Sequence, residues 1–359
     1  MLWKMPGISS QMNKLVAILG DCHFGLGSEV FLDSQIRFHS QQFIPYLIEN
    51  NIKKLILEGD VFDSRKAVDS MVMNKILSLF ALYKKHDIEI IIIIGNHDSY
   101  LKNSNDFHSL KAFELFDNVK VYTEISETNI YGRPFLLVPW LPNTDVYRDF
   151  VTTNILDHID VQIGHFDSIG TKMSGYQNSE VGLDRDFINR FTLTMSGHYH
   201  SFSVYENNGH ELCYNGTPYQ LNRGDAGEDR GFWILNCEDL SKAFVLNTTS
   251  IKFESVTYPE TFTEEKIRNN IVDLHVNESN IDVDELENYK DRLRSFNPIS
   301  ITPRIIPKVE NGVDSKDIKF VSLRQLFDDY VEKIEIEDDI KAGVKTKVNE
   351  LFESFYSEG

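Results

Sequence analysis

Lys54-Leu55-Ile56-Leu57-Glu58-Gly59-Asp60-Val61-Phe62-Asp63 opens as an apolar run of strand length and ends on a glycine and two acids three residues apart. A short apolar run closed by glycine reads as a buried strand followed by a turn. The pattern recurs along the chain. Leu15 to Leu19 leads into Gly20 and Asp21-Cys22-His23, and Ile88 to Ile94 leads into Gly95-Asn96-His97-Asp98. Val161 to Ile163 leads into Gly164-His165, and Leu193 to Met195 leads into Gly197-His198-Tyr199-His200. Helical spacing separates the first three runs. Phe38, Phe43, Leu47 and Ile48 mark a helix within 33–50, and Val68, Met71, Val72, Ile76, Leu79, Phe80 and Tyr83 mark one over 67–86. The order β-α-β-α-β predicts an α/β sheet with helices on its faces. Ligands of such sheets bind beyond the carboxyl ends of the strands, where every motif falls.

From about Val119 the pattern changes to short strands between proline-punctuated loops. Val119–Tyr122, 135–138, 161–163, 193–195, 203–205, 211–214 and 231–235 are expected to build a second half-sheet, giving an α/β sandwich of four-layer type. Residues 13–247 would form this domain, after an N-terminal extension over 1–12. A compact β-α-β-α-β stretch over 248–306 predicts a small α+β capping domain. A polar linker over 307–319 follows, and then a C-terminal helix-loop-helix over 320–359. Leu323, Leu326, Phe327, Tyr330 and Val331 form one apolar stripe of that tail, and Ile340, Val344, Val348, Leu351, Phe352 and Phe355 the other. Two lone amphipathic helices cannot bury such stripes unaided, so they are expected to dock on the body or on a partner.

Composition narrows the function. The 359 residues carry a net charge of −19. Nucleic-acid binders normally carry a basic footprint, so this balance argues against tight, sequence-independent DNA binding by the chain alone. It leaves room for a local basic groove or for a partner that supplies one. Three cysteines without a pairing pattern suggest a reducing compartment. No secretory signal and no membrane span is visible, which predicts a soluble, cytoplasmic protein.

The five motifs hold the donor set of a two-metal site. Phosphate esters resist attack by water, and paired divalent cations about 3.5–4 Å apart can activate a water and neutralise developing charge. Asp60 is the natural bridging carboxylate. Asp21, His23 and His200 would complete one metal position, and Asn96, His165 and His198 the other. Two carboxylates against two dications leave the cluster net positive, which suits an anionic substrate. His97 adjoins a ligand but suits a proton donor to the leaving oxygen. Asp63 is expected to orient it, and Asp98 to brace the turn. Bland readings exist for each piece. A lone Gly-Asp is usually a turn, and His198 or His200 could be a core histidine. All five in order make chance a poor explanation.

These residues resemble the calcineurin-like metallophosphoesterases, and within them the SbcD-type DNA repair nucleases, a group with phage members. Gly59 to Ala67, Leu137-Val138-Pro139-Trp140, Gly216-Thr217-Pro218 and Asp229-Arg230-Gly231-Phe232-Trp233 extend the likeness over nearly the whole chain from about Asn13. The resemblance implies a manganese-dependent double-strand exonuclease and single-strand endonuclease, with two Mn²⁺, Mg²⁺ or other divalent ions, that acts on DNA in recombination and repair. It implies an SbcC-type coiled-coil ATPase as partner, clasped by the tail helices, and no Gly-x-x-x-x-Gly-Lys-Ser/Thr loop is found here. It also implies a homodimer through helices at 67–86 and 105–116, with Met73, Leu77 and Ala81 as contact candidates. Phe166 after His165 departs from the acidic or other polar residue that relatives often carry there. A phosphomonoesterase or protein phosphatase of the same superfamily is the alternative. Those enzymes typically show Gly-Asn-His-Glu, where this chain has Asp98.

Overall fold

The computed structural model describes residues 14–171, 179–277, 283–306, 331, 341 and 343–347. The chain divides into two compact units, 1–306 and 307–359.

Fifteen strands occur among the described residues of the first unit: β1 Leu15–Leu19, β2 Lys54–Leu57, β3 Glu89–Ile93, β4 Val119–Tyr122, β5 Ser126–Ile130, β6 Arg133–Val138, β7 Val161–His165, β8 Leu193–Gly197, β9 Ser203–Asn207, β10 His210–Tyr214, β11 Gly231–Asn236, β12 Lys242–Leu246, β13 Phe253–Tyr258, β14 Ile271–Asn277 and β15 Ser300–Ile306. One six-stranded sheet runs β12-β11-β1-β2-β3-β4 and a second runs β5-β6-β7-β8-β10-β9. In the first, β1, β2, β3 and β4 are parallel. In the second, β6, β7, β8 and β10 are parallel. Two of the segments expected in the second sheet belong to the first instead. β4 adds to β3, and β11 lies antiparallel against β1. A short apolar strand carries its facing pattern in its sequence but not the identity of its neighbour, so spacing alone could not place them.

Period-two alternation sorts the core into layers. Val16 and Ile18 of β1 meet Phe135 and Leu137 of β6 and Ile163 of β7 between the sheets. Leu15, Ala17 and Leu19 face the other way, onto the helices Glu29–Phe38 and Ser70–Lys85. Leu136 and Val138 of β6 pack against Tyr147 and Val151 of the helix Asp145–Thr153. The order is helix, sheet, sheet, helix, the four layers of an α/β sandwich. The helix read over 33–50 begins at Glu29 and passes through a π-type turn at His39–Phe43 into Ile44–Glu49. The helix Ser70–Lys85 starts where the Asp69 side chain accepts the Met71 N–H at 2.7 Å. It buries Val72, Ile76, Leu79, Phe80 and Tyr83. Met71, expected on that stripe, is exposed. Met73 and Leu77 pack partly on the core and Ala81 is exposed. The segment expected as a helix over 105–116 is a 3₁₀ helix at Ser109–Leu115.

β13, β14 and β15 form a parallel sheet with the helices Glu264–Ile267 and Val283–Ser295 as crossovers. It has its own core of Val256, Tyr258, Ile267, Val272, Leu274, Val276, Tyr289 and Leu293. Arg223 ties it to the sandwich through Asp273 at 3.0 Å. Of the tail residues named above, Leu323, Leu326, Phe327, Tyr330, Ile340, Val348, Leu351, Phe352 and Phe355 lie outside the described residues, as do 1–12 and 307–319. Val344 lies in the helical stretch 343–347 and is exposed. Among the described residues no helix is long and apolar enough to cross a membrane.

Candidate metal centre

All five motifs meet at the carboxyl ends of β1, β2 and β3 of one sheet and β7 and β8 of the other. The turns that deliver them are tight. His23, Asp60 and His198 adopt positive φ (45°, 47° and 88°), a region costly for side-chain-bearing residues and common at functional sites. Glycine is required beside them. A Cβ on Gly59 (φ 97°) would come within 2.6 Å of His165 Nδ1, and one on Gly95 within 2.1 Å of Asp60 Oδ1.

Three overlapping groups result. Asp21, His23 and His200 bring ligand atoms within 4.8 Å of one another, and so do Asp21, Asp60 and His165. His23, Asp60 and His97 form a third such group. Asp60 therefore lies between the two sides, 3.7 Å from His23 Nε2 and 3.5 Å from His165 Nε2. On one side His23 Nε2 and His200 Nε2 face each other at 3.0 Å. On the other, His165 Nε2 and His198 Nδ1 stand 2.9 and 3.0 Å from Asn96 Oδ1.

The far nitrogen of each ring on that second side is committed. His165 Nδ1–H donates to the Glu58 carbonyl at 2.7 Å. The Asp167 carboxylate lies 2.6 Å from His198 Nε2 and attracts the proton to that nitrogen. In the neutral rings, three lone-pair atoms then converge with no hydrogen between them. A cation resolves such a convergence, and the mixed nitrogen and oxygen donors suit a divalent transition ion. The residues present fit the metal pair. Without metal, a proton takes the cation's place. Burial opposes charge on His165, but the adjacent Asp60 carboxylate overrides it and raises its pKa. Asp60 is conversely held ionised against its own burial by His165, His23 and His97.

Asp63 reaches His97 differently from expectation. Its main-chain carbonyl, not its carboxylate, accepts His97 Nδ1–H at 2.5 Å. The carboxylate lies 3.3 Å from His23 Nδ1, near enough for attraction, although that buried ring nitrogen lacks a well-aligned hydrogen bond. Burial works against charge on His23, and Asp63, Asp60 and Asp21 raise its pKa. The backbone N–H of His97 donates to Asp60 Oδ1 at 2.7 Å, which places the two side by side. Asp98 braces the turns: its buried carboxylate accepts N–H groups of Gly95, Val61 and Phe62 at 3.0, 3.0 and 3.3 Å. Cys22 is a buried packing residue.

Three supporting residues were not legible in the motifs. Asp167 anchors His198, and Phe166, the residue that departs from relatives, turns away into the outer core with Tyr147. The acid two places after the motif histidine was the available signal. Glu58 is fully buried, held by Asn215 Nδ2 at 2.8 Å to both oxygens, and burial pushes its pKa well up. Arg230 is buried and donates to the His200 carbonyl and to Thr217 Oγ1 (3.0 Å), with Asp225 and Glu228 at 3.0 and 2.7 Å.

The sequence pattern of the calcineurin-like phosphoesterases matches residues 14–216, more than half of the chain and all five motifs. The chain belongs to the calcineurin-like phosphoesterases. Among curated proteins, this family member is similar to exonuclease subunit 1 of Enterobacteria phage T4, at 28% identity over 354 residues, covering 93% of this chain and 97% of the relative. Among solved structures it is similar to GAP50, the anchor in the inner membrane complex of Plasmodium, at 12% identity and TM-score 0.37, covering 84% of this chain and 98% of that one. It is also similar to the phosphopantetheinyl hydrolase of Mycobacterium tuberculosis, at 13% identity and TM-score 0.36, covering 58% and 91%.

Proposed function

We propose that this phosphoesterase is a metal-dependent DNA nuclease that hydrolyses phosphodiesters, the nuclease subunit of an SbcCD-like recombination complex. The convergence of Asn96 Oδ1, His165 Nε2 and His198 Nδ1 on one point carries the hydrolase reading. The likeness to an exonuclease subunit over nearly the full length of both chains supports the substrate.

Asp21, His23, Asp60 and His200 would hold one cation, and Asp60, Asn96, His165 and His198 the other, with Mn²⁺ the favoured ion and Mg²⁺ or others possible. A pair held by these residues would supply Lewis-acid chemistry, lowering the pKa of a water and stabilising negative charge on the phosphate. The chain does the rest. Asp60 and Asp21 keep the donors in place, and Asp60 stays ionised among the surrounding histidines. His97, fixed through Nδ1 by the Asp63 carbonyl, presents Nε2 as the proton donor to the departing oxygen. The tail stripes Leu323 to Tyr330 and Val344 to Phe352 would bind a coiled-coil ATPase, and Met73, Leu77 and Ala81 a second copy of the chain. A DNA transaction of this kind belongs in the cytoplasm, that of the host for a phage protein.

One preparation decides the substrate. Mn²⁺-dependent hydrolysis of linear duplex DNA is compared with that of a phosphomonoester. DNA cleavage is the expected result, and activity on the monoester alone overturns the nuclease reading in favour of a phosphatase.

A further inference from the structure

Beside the cluster lies a cavity of about 800 Å³ whose walls are the direct continuations of two motif loops. Arg65, Lys66 and Val68 follow Asp63, while Tyr100 and Leu101 follow Asp98. The chain as a whole has 36 basic and 55 acidic residues. This cavity inverts that balance, with Arg65, Lys66 and Lys111 against Asp106. Lys111 is tied to Glu114 at 2.6 Å. No carboxylate pairs with Arg65 or Lys66 among the described residues.

Two large rings stand open here. Tyr100 is 53% and Phe107 65% exposed. They are held on one rigid loop, since Tyr100 N–H donates to the Phe107 carbonyl at 2.8 Å and Ser99 bridges His108. The cation is held too. The Arg65 guanidinium lies over the Trp140 ring at 5.4 Å. Trp140 is anchored through its main chain, which donates to the Ile94 carbonyl and accepts from Asn105 Nδ2. Arg65 stands two residues after Asp63, whose carbonyl fixes His97, so the platform is joined to the metal centre through the motif loop itself.

We propose that Arg65, Lys66, Tyr100, Phe107 and Trp140 form a subsite for the single-stranded polynucleotide that flanks the scissile phosphate. Arg65 and Lys66 take a backbone phosphate, and a base stacks on Tyr100 or Phe107. Single strands are bound by this pairing of a positive groove with aromatic faces, without sequence preference. The inference rests on the nuclease reading and adds how a polymer is told from a small ester: a monoester of ordinary size reaches the cluster but not the platform.

The test uses the full chain. Binding of a fluorescein-labelled oligothymidylate is read by anisotropy in chelator, and hydrolysis of bis(p-nitrophenyl) phosphate is read in Mn²⁺. Arg65→Ala and the pair Tyr100→Ala/Phe107→Ala each weaken oligonucleotide binding about tenfold. Arg65→Ala also flattens the slope of log affinity against log salt by about 0.7. Arg65→Lys, which keeps the charge and the fold but not the planar stack, falls between. Binding within twofold of wild type in all three variants overturns the proposal. So does a change in sedimenting mass with binding retained, since the groove is then a contact between copies. Failure of the two readings is separable: absent diester hydrolysis with platform binding intact sinks the metal reading alone, and diester hydrolysis with binding unmoved by the variants sinks the platform alone.

Discussion

The two sheets end at the same place but hold their site residues by opposite means. The first sheet delivers acids, fixed by backbone N–H groups: Asp98 accepts three and Asp60 accepts that of His97. The second delivers imidazoles, fixed by oxygen acceptors on the far ring nitrogen: Glu58 O for His165 and Asp167 for His198. Burial and the nearby Asp60 raise the pKa of the bracing Asp98 to about 7 despite its amides, whereas the surrounding histidines keep Asp60 an anion against its own burial. An imidazole tied by its far N–H keeps a lone pair aimed inward, so Asp60 and the second-sheet rings are prepared for a cation before one arrives. His23 and His97 cross the division as imidazoles on the acid side, and of the two it is His97, tied by the Asp63 carbonyl, that is best suited to move a proton.

That exception gives the largest expected effect. His97→Ala lowers kcat on DNA by about 10²- to 10⁴-fold. The expected outcome retains bound manganese, counted by metal analysis of the dialysed protein. Lost metal would place His97 among the ligands, as its grouping with His23 and Asp60 allows.

Asp98 tests the acid side. Asp98→Ala leaves three buried N–H donors without their acceptor and costs about 3 kcal/mol of stability. Chemical denaturation measures it. A midpoint equal to wild type would show that the strand-end turns hold themselves.

Asp167 tests the imidazole side. Asp167→Asn replaces the acceptor that fixes His198 and lowers metal affinity about 10- to 100-fold, the usual loss for a partner of a metal-bound histidine. Titration of the metal-free protein with Mn²⁺ reads this. Asp63→Ala is the contrasting variant, since the His97 contact uses the main chain. Its kcat at saturating metal stays within about threefold of wild type, and a fall like that of His97→Ala would restore the Asp63 carboxylate as the orienting group.

The sequence carried these parts unequally, for physical reasons. Strand-end ligands are legible because each needs an apolar strand, a glycine that lets the backbone come close, and a donor, all within a few residues. Gly59 and Gly95 are necessary in that sense. Which residue each anchor meets is not legible. Asp167 meets His198, and Asn215 meets Glu58, across 31 and 157 residues, and only the fold brings them together. Sheet membership shares this blindness. β4 and β11 read as short strands, but which edge they join depends on loops that leave no periodic trace. The fixing of His97 by a main-chain carbonyl was hidden for a related reason, because a carbonyl has no letter in the sequence.

An effect that vanishes at neutral pH lies away from the chemistry, at a histidine that contrasts with those of the site. His39 is buried in the π-type turn, with Nδ1 2.6 Å from the Tyr83 hydroxyl and Nε2 without a partner. No carboxylate offsets its burial, and burial pushes its pKa down to about 3. The folded state thus refuses a proton that the unfolded chain takes up near pH 6.5. His39 therefore contributes nothing to the pH dependence above about pH 6.5 and lowers stability as pH falls from there towards 3, by about 1.4 kcal/mol per unit across that window. His39→Gln removes this slope and leaves stability at pH 8 lower by the lost packing. Thermal unfolding from pH 8 to 4 reads both. An unchanged acid slope would mean that the ring is protonated in the folded protein, and the difference between site and core histidines would then rest on geometry rather than on charge.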